Sequence, residues 1–195
     1  GDYLTDELTQ EAVNTIKNST QNSTQNPFLL VLSHFAVHTP IQAPDEEVEE
    51  YITKFENIPD EYEIDSTYDV VSKINRNNPT YGAMVNAVDR SLGRIMDALD
   101  EHGRNNDTVI IFTSDNGGKS TMAKNGLTAD EILEHIKQIP TSNLPLRHGK
   151  GWMYEGGIRV PLLIHVPGGE SSVSHCPVTG ADIFPTMLDL AGLPA

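Results

Sequence analysis

Two short apolar runs separated by a long amphipathic segment constrain the fold of this chain more than any other feature. The runs are residues 28–33 and 108–113, and each is bounded by polar residues or proline. Between them, residues 81–102 carry apolar side chains at the i, i+3, i+4, i+7 spacing of a helix that buries one face. Because successive residues of each run are apolar, both are typical of strands covered on both faces. This alternation predicts an α/β fold in which helices cover a sheet.

The remaining periodic segments extend the same alternation. We predict helices over residues 4–18 and 128–139, the second opened by a capping box that starts at Thr128. We also predict a strand over residues 160–166 and a last helix, capped by Asp182, that ends near the close of the chain.

Two stretches lack such periodicity. Residues 18–26 are polar and residues 41–79 are acidic, and we predict that both are loop-rich and face solvent. The 195 residues fit one domain. Because only three strands are indicated, we expect that domain to be partial, with an incomplete sheet.

Charge and composition exclude several classes of function. The formal net charge of −15 disfavours partners such as nucleic acids and anionic membranes. The longest clean apolar stretch, residues 28–32, is far too short to span a bilayer. A single cysteine, Cys176, excludes an internal disulfide framework and a cysteine-rich zinc site.

The candidate chemistry lies at the ends of the predicted strands, where open α/β sheets carry their sites. Asp115 and Asn116 follow the second strand and offer hard oxygen donors suited to Ca²⁺ or Mg²⁺. The two glycines after them, Gly117 and Gly118, permit a tight turn and leave room for a ligand. The same four residues are strong turn formers, so from composition alone a plain Asx turn is the favoured interpretation and a cation site is the alternative.

Two histidines and a lysine complete the candidate set. His34 and His38 follow the first strand and suit metal binding or proton transfer, or else a structural role. Lys150 lies between two glycines and suits either an anionic ligand or a flexible surface position. Together, an oxygen-donor pair, a histidine and this lysine describe a site for an anionic ester, sulfate or phosphate.

Three motifs in a fixed order resemble the sulfatase family, of the arylsulfatase A type within the alkaline-phosphatase-like superfamily. They are His38-Thr39-Pro40, Phe112-Thr-Ser-Asp-Asn-Gly-Gly118, and Gly149-Lys-Gly-Trp-Met-Tyr-Glu-Gly-Gly157. The resemblance implies that Asp115 and Asn116 bind a divalent cation, Ca²⁺ or alternatively Mg²⁺. It also implies that His38 assists departure of the alcohol and that Lys150 binds a sulfate oxygen.

Three further residues near the lysine are weaker candidates for substrate contact: Asn143, Arg147 and His148. His148 stands where similar sulfatases often have glycine, so it is expected to mark a substrate preference or a surface change. The resemblance further implies an aryl or carbohydrate sulfate ester as substrate and a periplasmic, secreted or lysosomal location.

The family's nucleophile, a formylglycine made from cysteine in a Cys-x-Pro-Ser-Arg motif, has no counterpart here. Cys176 is followed by Pro-Val-Thr-Gly, and the family's first pair of metal-binding aspartates is also absent. We therefore expect a C-terminal part of a catalytic domain that is inactive alone and self-associates through an exposed sheet. The alternatives are a phosphodiesterase or phosphonate hydrolase of the same superfamily, or a remnant that only binds anions.

Overall fold

The computed structural model describes residues 3–21 and 27–194. Within these ranges the helices are α1 Leu4–Gln21, α2 Asp45–Phe55, α3 Pro79–Glu101, α4 Ala129–Ile136, α5 Glu155–Ile158 and α6 Gly180–Leu190. The strands are β1 Tyr62–Asp65, β2 Val70–Lys73, β3 Ile110–Thr113, β4 Thr121–Ala123 and β5 Leu162–His165. The mixed helix and strand content confirms the predicted α/β class.

The long helix α3 organises one half of the structure. The side chain of Asn78 accepts a hydrogen bond of 2.9 Å from the backbone N–H of Tyr81, and proline at the first helical position fixes the start. Gly103 ends the helix with φ = +67°, a left-handed conformation that glycine adopts without strain. Helices α1 and α2 both pack against α3. The predicted helix 81–102 is confirmed, with a start two residues earlier.

Strands β1, β2 and β4 form an antiparallel sheet in that order, and α4 covers it. Val71 of β2 packs with Ile132 and Ile136 of α4 in a dry aliphatic core. Lys73 is also buried, and its ammonium donates hydrogen bonds to the backbone carbonyls of Ile136 and Ile139 near the end of α4. Burial lowers the pKa of Lys73. The lysine thus ties β2 to the chain segment at the end of α4.

Strands β3 and β5 form a second, antiparallel pair, with Thr113 opposite Leu162. The predicted strands 108–113 and 160–166 are therefore confirmed. A second core joins α1 to α3 through Ile16 and Leu99.

Other predictions need correction. Residues 28–33 are extended but belong to no ladder among the described residues, so the predicted first strand is wrong. Residues 41–79 contain α2, β1 and β2 and are more regular than predicted. The last helix is capped by Thr179 rather than by Asp182, which occupies the third helical position of the capping box.

Two ends of helices also differ from the prediction. Helix α1 continues to Gln21, past the predicted end at residue 18, and α4 ends at Ile136 rather than at residue 139. The predicted loop 18–26 otherwise lies largely outside the described residues. None of the described helices is both long enough and apolar enough to cross a bilayer.

Candidate functional site

The segment after β3 lies directly against the loop that carries Lys150. The backbone N–H of Lys150 donates to the carbonyl of Gly118 at 3.0 Å, and the N–H of Gly117 donates to the carbonyl of Gly157 at 2.9 Å. A Cβ added at Gly117 would lie 1.8 Å from the carbonyl oxygen of Gly156, so only glycine permits this contact. The structure thereby brings two of the predicted motifs together, 115–118 and 149–157.

Asn143 joins the same two segments through its side-chain amide. Its Nδ2 lies 2.7 Å from the carbonyl oxygen of Gly118 and 3.1 Å from that of His148. Ser120, which is buried, adds a hydrogen bond of 3.0 Å to the carbonyl of His148. Asn143 therefore holds the lysine loop in place, while its contact with a substrate stays a prediction.

Asp115 and Asn116 occupy the turn that leaves β3. The Asp115 carboxylate is exposed, and the hydroxyl of Ser114 donates to the backbone carbonyl of Asn116 at 2.9 Å, which fixes the turn. The carboxylate oxygen of Asp115 and the amide oxygen of Asn116 are ligands that a hard cation such as Ca²⁺ prefers. Such a cation takes roughly six to eight oxygen ligands. Among residues 3–21 and 27–194, no group of three or more His, Cys, Asp or Glu is placed to hold a metal ion. The pair therefore supplies only part of such a site.

His38 lies on a separate segment and is exposed. Its Nδ1 is 2.8 Å from the carbonyl oxygen of Thr39, and because a carbonyl only accepts, Nδ1 carries a hydrogen. Its ring edge contacts Phe35 with centroids 6.0 Å apart. No hydrogen bond or ring contact between His38 and the lysine loop exists within the described ranges. The structure therefore does not by itself join the predicted histidine to the predicted lysine.

His34 anchors the segment that carries His38 to the helices. Its Nε2 lies 2.9 Å from the hydroxyl of Ser91 in α3, which lies 2.7 Å from the hydroxyl of Thr9 in α1. The single hydrogen of the Thr9 hydroxyl points either to Ser91 or to the carbonyl of Thr5, which is 2.6 Å away, and a neutral imidazole at His34 completes either arrangement. Burial lowers the pKa of His34, which favours this neutral form. Of the two interpretations left open for His34, the structural one fits these contacts.

Arg147 and His148 are tied to the last residue of β1, Asp65. The guanidinium of Arg147 donates to the carboxylate of Asp65, and Nε2 of His148 lies 3.2 Å from the same carboxylate oxygen. The hydrogen bond from Arg147 is the largest of the causes that lower the pKa of Asp65 to about 2. His148 has a side chain that is only 2% exposed and a φ of +57°. This left-handed backbone is one that glycine adopts without strain and that a histidine adopts only rarely.

Four residues of this region were missed by the sequence reasoning: Asp65, Tyr68, Trp152 and Tyr154. The indole of Trp152 stacks on the ring of His148, with centroids 4.3 Å apart and planes at 15°. Tyr68 meets the edge of Trp152 at 5.2 Å, and its hydroxyl lies 2.8 Å from that of Tyr154. In the sequence, the only indication of this cluster was that Trp152 and Tyr154 follow Lys150 within four positions.

Comparison with known proteins identifies the family of this chain. The family model "Sulfatase" matches residues 1–193. The chain belongs to the sulfatase family. Arylsulfatase J of Mus musculus is 31% identical over 167 residues, which cover 85% of this chain and 22% of that protein. Steryl-sulfatase of Homo sapiens is 34% identical over 170 residues, covering 86% of this sulfatase chain and 23% of the relative.

Solved structures share the fold. The crystal structure of Ps i-CgsB in complex with k-i-k-neocarrahexaose has a TM-score of 0.73 and 35% sequence identity, and it covers 100% of this chain. The sulfatase chain described here corresponds to 35% of that structure and to about a quarter or less of the two curated relatives named above. The predicted alkaline-phosphatase-like fold is confirmed by these neighbours.

Proposed function

We propose that the protein containing this chain hydrolyses sulfate esters and releases sulfate from an aryl or carbohydrate substrate. The observation that carries the proposal is the pair of backbone hydrogen bonds that sets the Lys150 loop against the Asp115-Asn116 turn. The family match over nearly the whole chain supports the same reaction class.

Lys150 and His38 take complementary roles in this proposal. The side chain of Lys150 is exposed and carries a positive charge that pairs with an ester oxygen. The Nδ1–H of His38 is engaged with the Thr39 carbonyl, which leaves Nε2 to face the substrate. As an imidazolium, His38 gives its Nε2 proton to the departing alcohol oxygen and becomes the neutral ring that keeps the Nδ1–H. The lysine thus stabilises developing negative charge while the histidine prevents an alkoxide from leaving.

Asp115 and Asn116 would hold a divalent cation, which we propose to be Ca²⁺, with Mg²⁺ as the alternative. When bound, this cation neutralises ester oxygens, and a formylglycine elsewhere in the protein supplies the nucleophile. Within the described chain, Ser114 and the close contact at Gly117 keep both oxygen donors beside the lysine loop.

A carbohydrate sulfate is the substrate class to test first. The similar structure at 35% identity was solved with an oligosaccharide, k-i-k-neocarrahexaose. An assay of the full-length protein should therefore include sulfated oligosaccharides beside 4-nitrophenyl sulfate and 4-nitrophenyl phosphate.

The experiment compares Lys150→Met with Lys119→Met in the full-length protein. Loss of a preorganised charge at the ester typically costs about 10²- to 10³-fold in turnover. We expect this loss of kcat/KM in Lys150→Met for sulfate esters. Lys119 is exposed next to Gly118 and serves as the matched control, with kcat/KM within twofold of the wild type.

Two results would contradict the proposal. Equal activity of the wild type and Lys150→Met on sulfate esters would show that Lys150 is not part of the active site. If the wild type hydrolyses 4-nitrophenyl phosphate faster than sulfate esters, and Lys150→Met loses this activity, the protein is a phosphate-ester hydrolase instead.

A further inference from the structure

Four ring-bearing residues form one cluster beside Lys150, and we call it the aromatic patch: Tyr68, His148, Trp152 and Tyr154. Three of them lie within four residues of Lys150 on its own loop. The fourth, Tyr68, comes from the turn between β1 and β2 and contacts all three of the others. The patch therefore joins the lysine loop to a separate hairpin.

The composition of the patch differs from that of the two packed cores. The chain has one tryptophan and six tyrosines, and the tryptophan and two of the tyrosines belong to the patch. The buried residues of the core under α4 are Val71 and isoleucines, with the single ring of Tyr62 packed against them. The patch differs because it brings four rings together at one place.

The patch is open to solvent at its polar edge. Tyr68 is 46% exposed, and the side chain of Arg147 is 49% exposed. The guanidinium of Arg147 lies 4.1 Å from the centroid of the Tyr154 ring. Asp65 holds that guanidinium in place but occupies only part of its five donors. One surface thus presents the exposed ring of Tyr68 beside the N–H donors of Arg147.

We propose that the aromatic patch binds a sugar ring of the substrate next to the sulfated group that Lys150 contacts. The C–H face of a sugar is apolar and stacks on an aromatic ring, while its hydroxyls both donate and accept hydrogen bonds. Arg147 supplies donors for those hydroxyls, since Asp65 engages only part of its guanidinium.

This inference rests on the proposed function for the identity of the neighbouring site, but sugar binding does not require hydrolysis. The test therefore measures binding of neutral hexasaccharides of galactose, glucose and N-acetylglucosamine to the full-length protein by titration calorimetry. The variants are Tyr68→Ala, which removes the exposed ring, and Tyr68→Phe, which keeps the ring and removes the hydroxyl. Ile52→Ala, at an exposed position of α2, is the control outside the patch.

We expect at least one hexasaccharide to bind the wild type. Its affinity should fall about tenfold in Tyr68→Ala and stay within threefold in Tyr68→Phe and in Ile52→Ala. Arg147→Gln is the second variant, and it should weaken the same binding at least fivefold while circular dichroism shows an unchanged fold.

No binding to the wild type, or equal affinity in Tyr68→Ala and the wild type, would overturn the proposal. An equal loss in Tyr68→Phe and Tyr68→Ala would also overturn it, because stacking on the ring would then not be the source of affinity. If Tyr68-dependent binding is found but no sulfate ester is hydrolysed, the proposed reaction fails while the sugar site stands.

Discussion

Glycine at position 117 lets the turn after β3 touch the lysine loop without an intervening side chain. We expect Gly117→Ala to destabilise the protein by about 1–3 kcal/mol, the usual cost of forcing atoms into filled space. The reason is the carbonyl of Gly156, which would lie 1.8 Å from the new Cβ. Urea unfolding measures this free energy.

Gly93, in the middle of α3, is the matched control for that substitution. Nothing lies within 4 Å of a Cβ built there. Alanine is a better helix former than glycine, so Gly93→Ala should stabilise the protein by about 0.5–1 kcal/mol. Equal effects of the two substitutions would show that the contact at Gly117 is not tight in solution.

Position 117 also shows how far the environment of a single residue can be predicted from the sequence. Gly117 and Gly118 predict a tight turn with free space, and the structure confirms the turn but fills the space at Gly117 with backbone. Asp65 and Tyr68 were not predicted as site residues, because they lie about 80 positions before the loop that they contact. A contact between residues so far apart along the chain leaves no periodic pattern in a single sequence.

At the scale of elements, α4 depends on its first turn. Thr128 accepts from the N–H of Glu131, and the Glu131 carboxylate accepts from the N–H of Thr128 at 2.8 Å. Thr128→Ala should cost about 1 kcal/mol of unfolding free energy, since both Ile132 and Ile136 reach the core from this helix. Urea unfolding at pH 7 measures the loss.

Thr128→Ser keeps the capping oxygen and is the control for this variant. The hydrogen bonds from Thr128 lower the pKa of Glu131 from its ordinary 4.5. A lowered carboxyl pKa contributes stability above pH 4.5, and that contribution is lost as the pH falls through the lowered value. The hydrogen bond from the Thr128 hydroxyl to the Glu131 carboxylate should therefore weaken at low pH, whereas the one from the Glu131 N–H to the Thr128 oxygen stays. The loss of stability in Thr128→Ala should shrink, but not vanish, as the pH falls below 4.5. A loss that is the same at pH 7 and at about pH 2 would contradict a part for the carboxylate in the cap.

Elements with a local signal were predicted well, and those that depend on a partner were not. The capping box of α4 and the periodicity of α3 lie within a few residues, so both helices were found. Helix α2 was missed because its acidic residues resemble a solvated loop, although Glu47 pairs with Arg90 of α3 at 2.9 Å. Residues 28–33 have the composition of a strand, but a strand also needs a hydrogen-bonded neighbour.

At the scale of the whole molecule, residues 28–35 leave an extended apolar surface uncovered. Burial alternates along them, and the outer side chains Leu29 and Val31 are 73% and 77% exposed. Among residues 3–21 and 27–194 this segment pairs with no strand, and its outward apolar side chains favour pairing with another chain. We therefore expect the predicted self-association to occur through residues 28–35.

We expect the 195-residue chain to associate with itself as its concentration rises, with sedimentation velocity as the measurement. The double variant Leu29→Lys/Val31→Lys should remain monomeric, because two adjacent outward charges make pairing of the segment unfavourable. Ile52→Lys places one charge at an exposed apolar position of α2 and should leave the association unchanged. A monomeric wild-type chain at high concentration would show that this surface does not drive assembly. Equal loss of association in Ile52→Lys would show that net charge, rather than the extended segment, controls it.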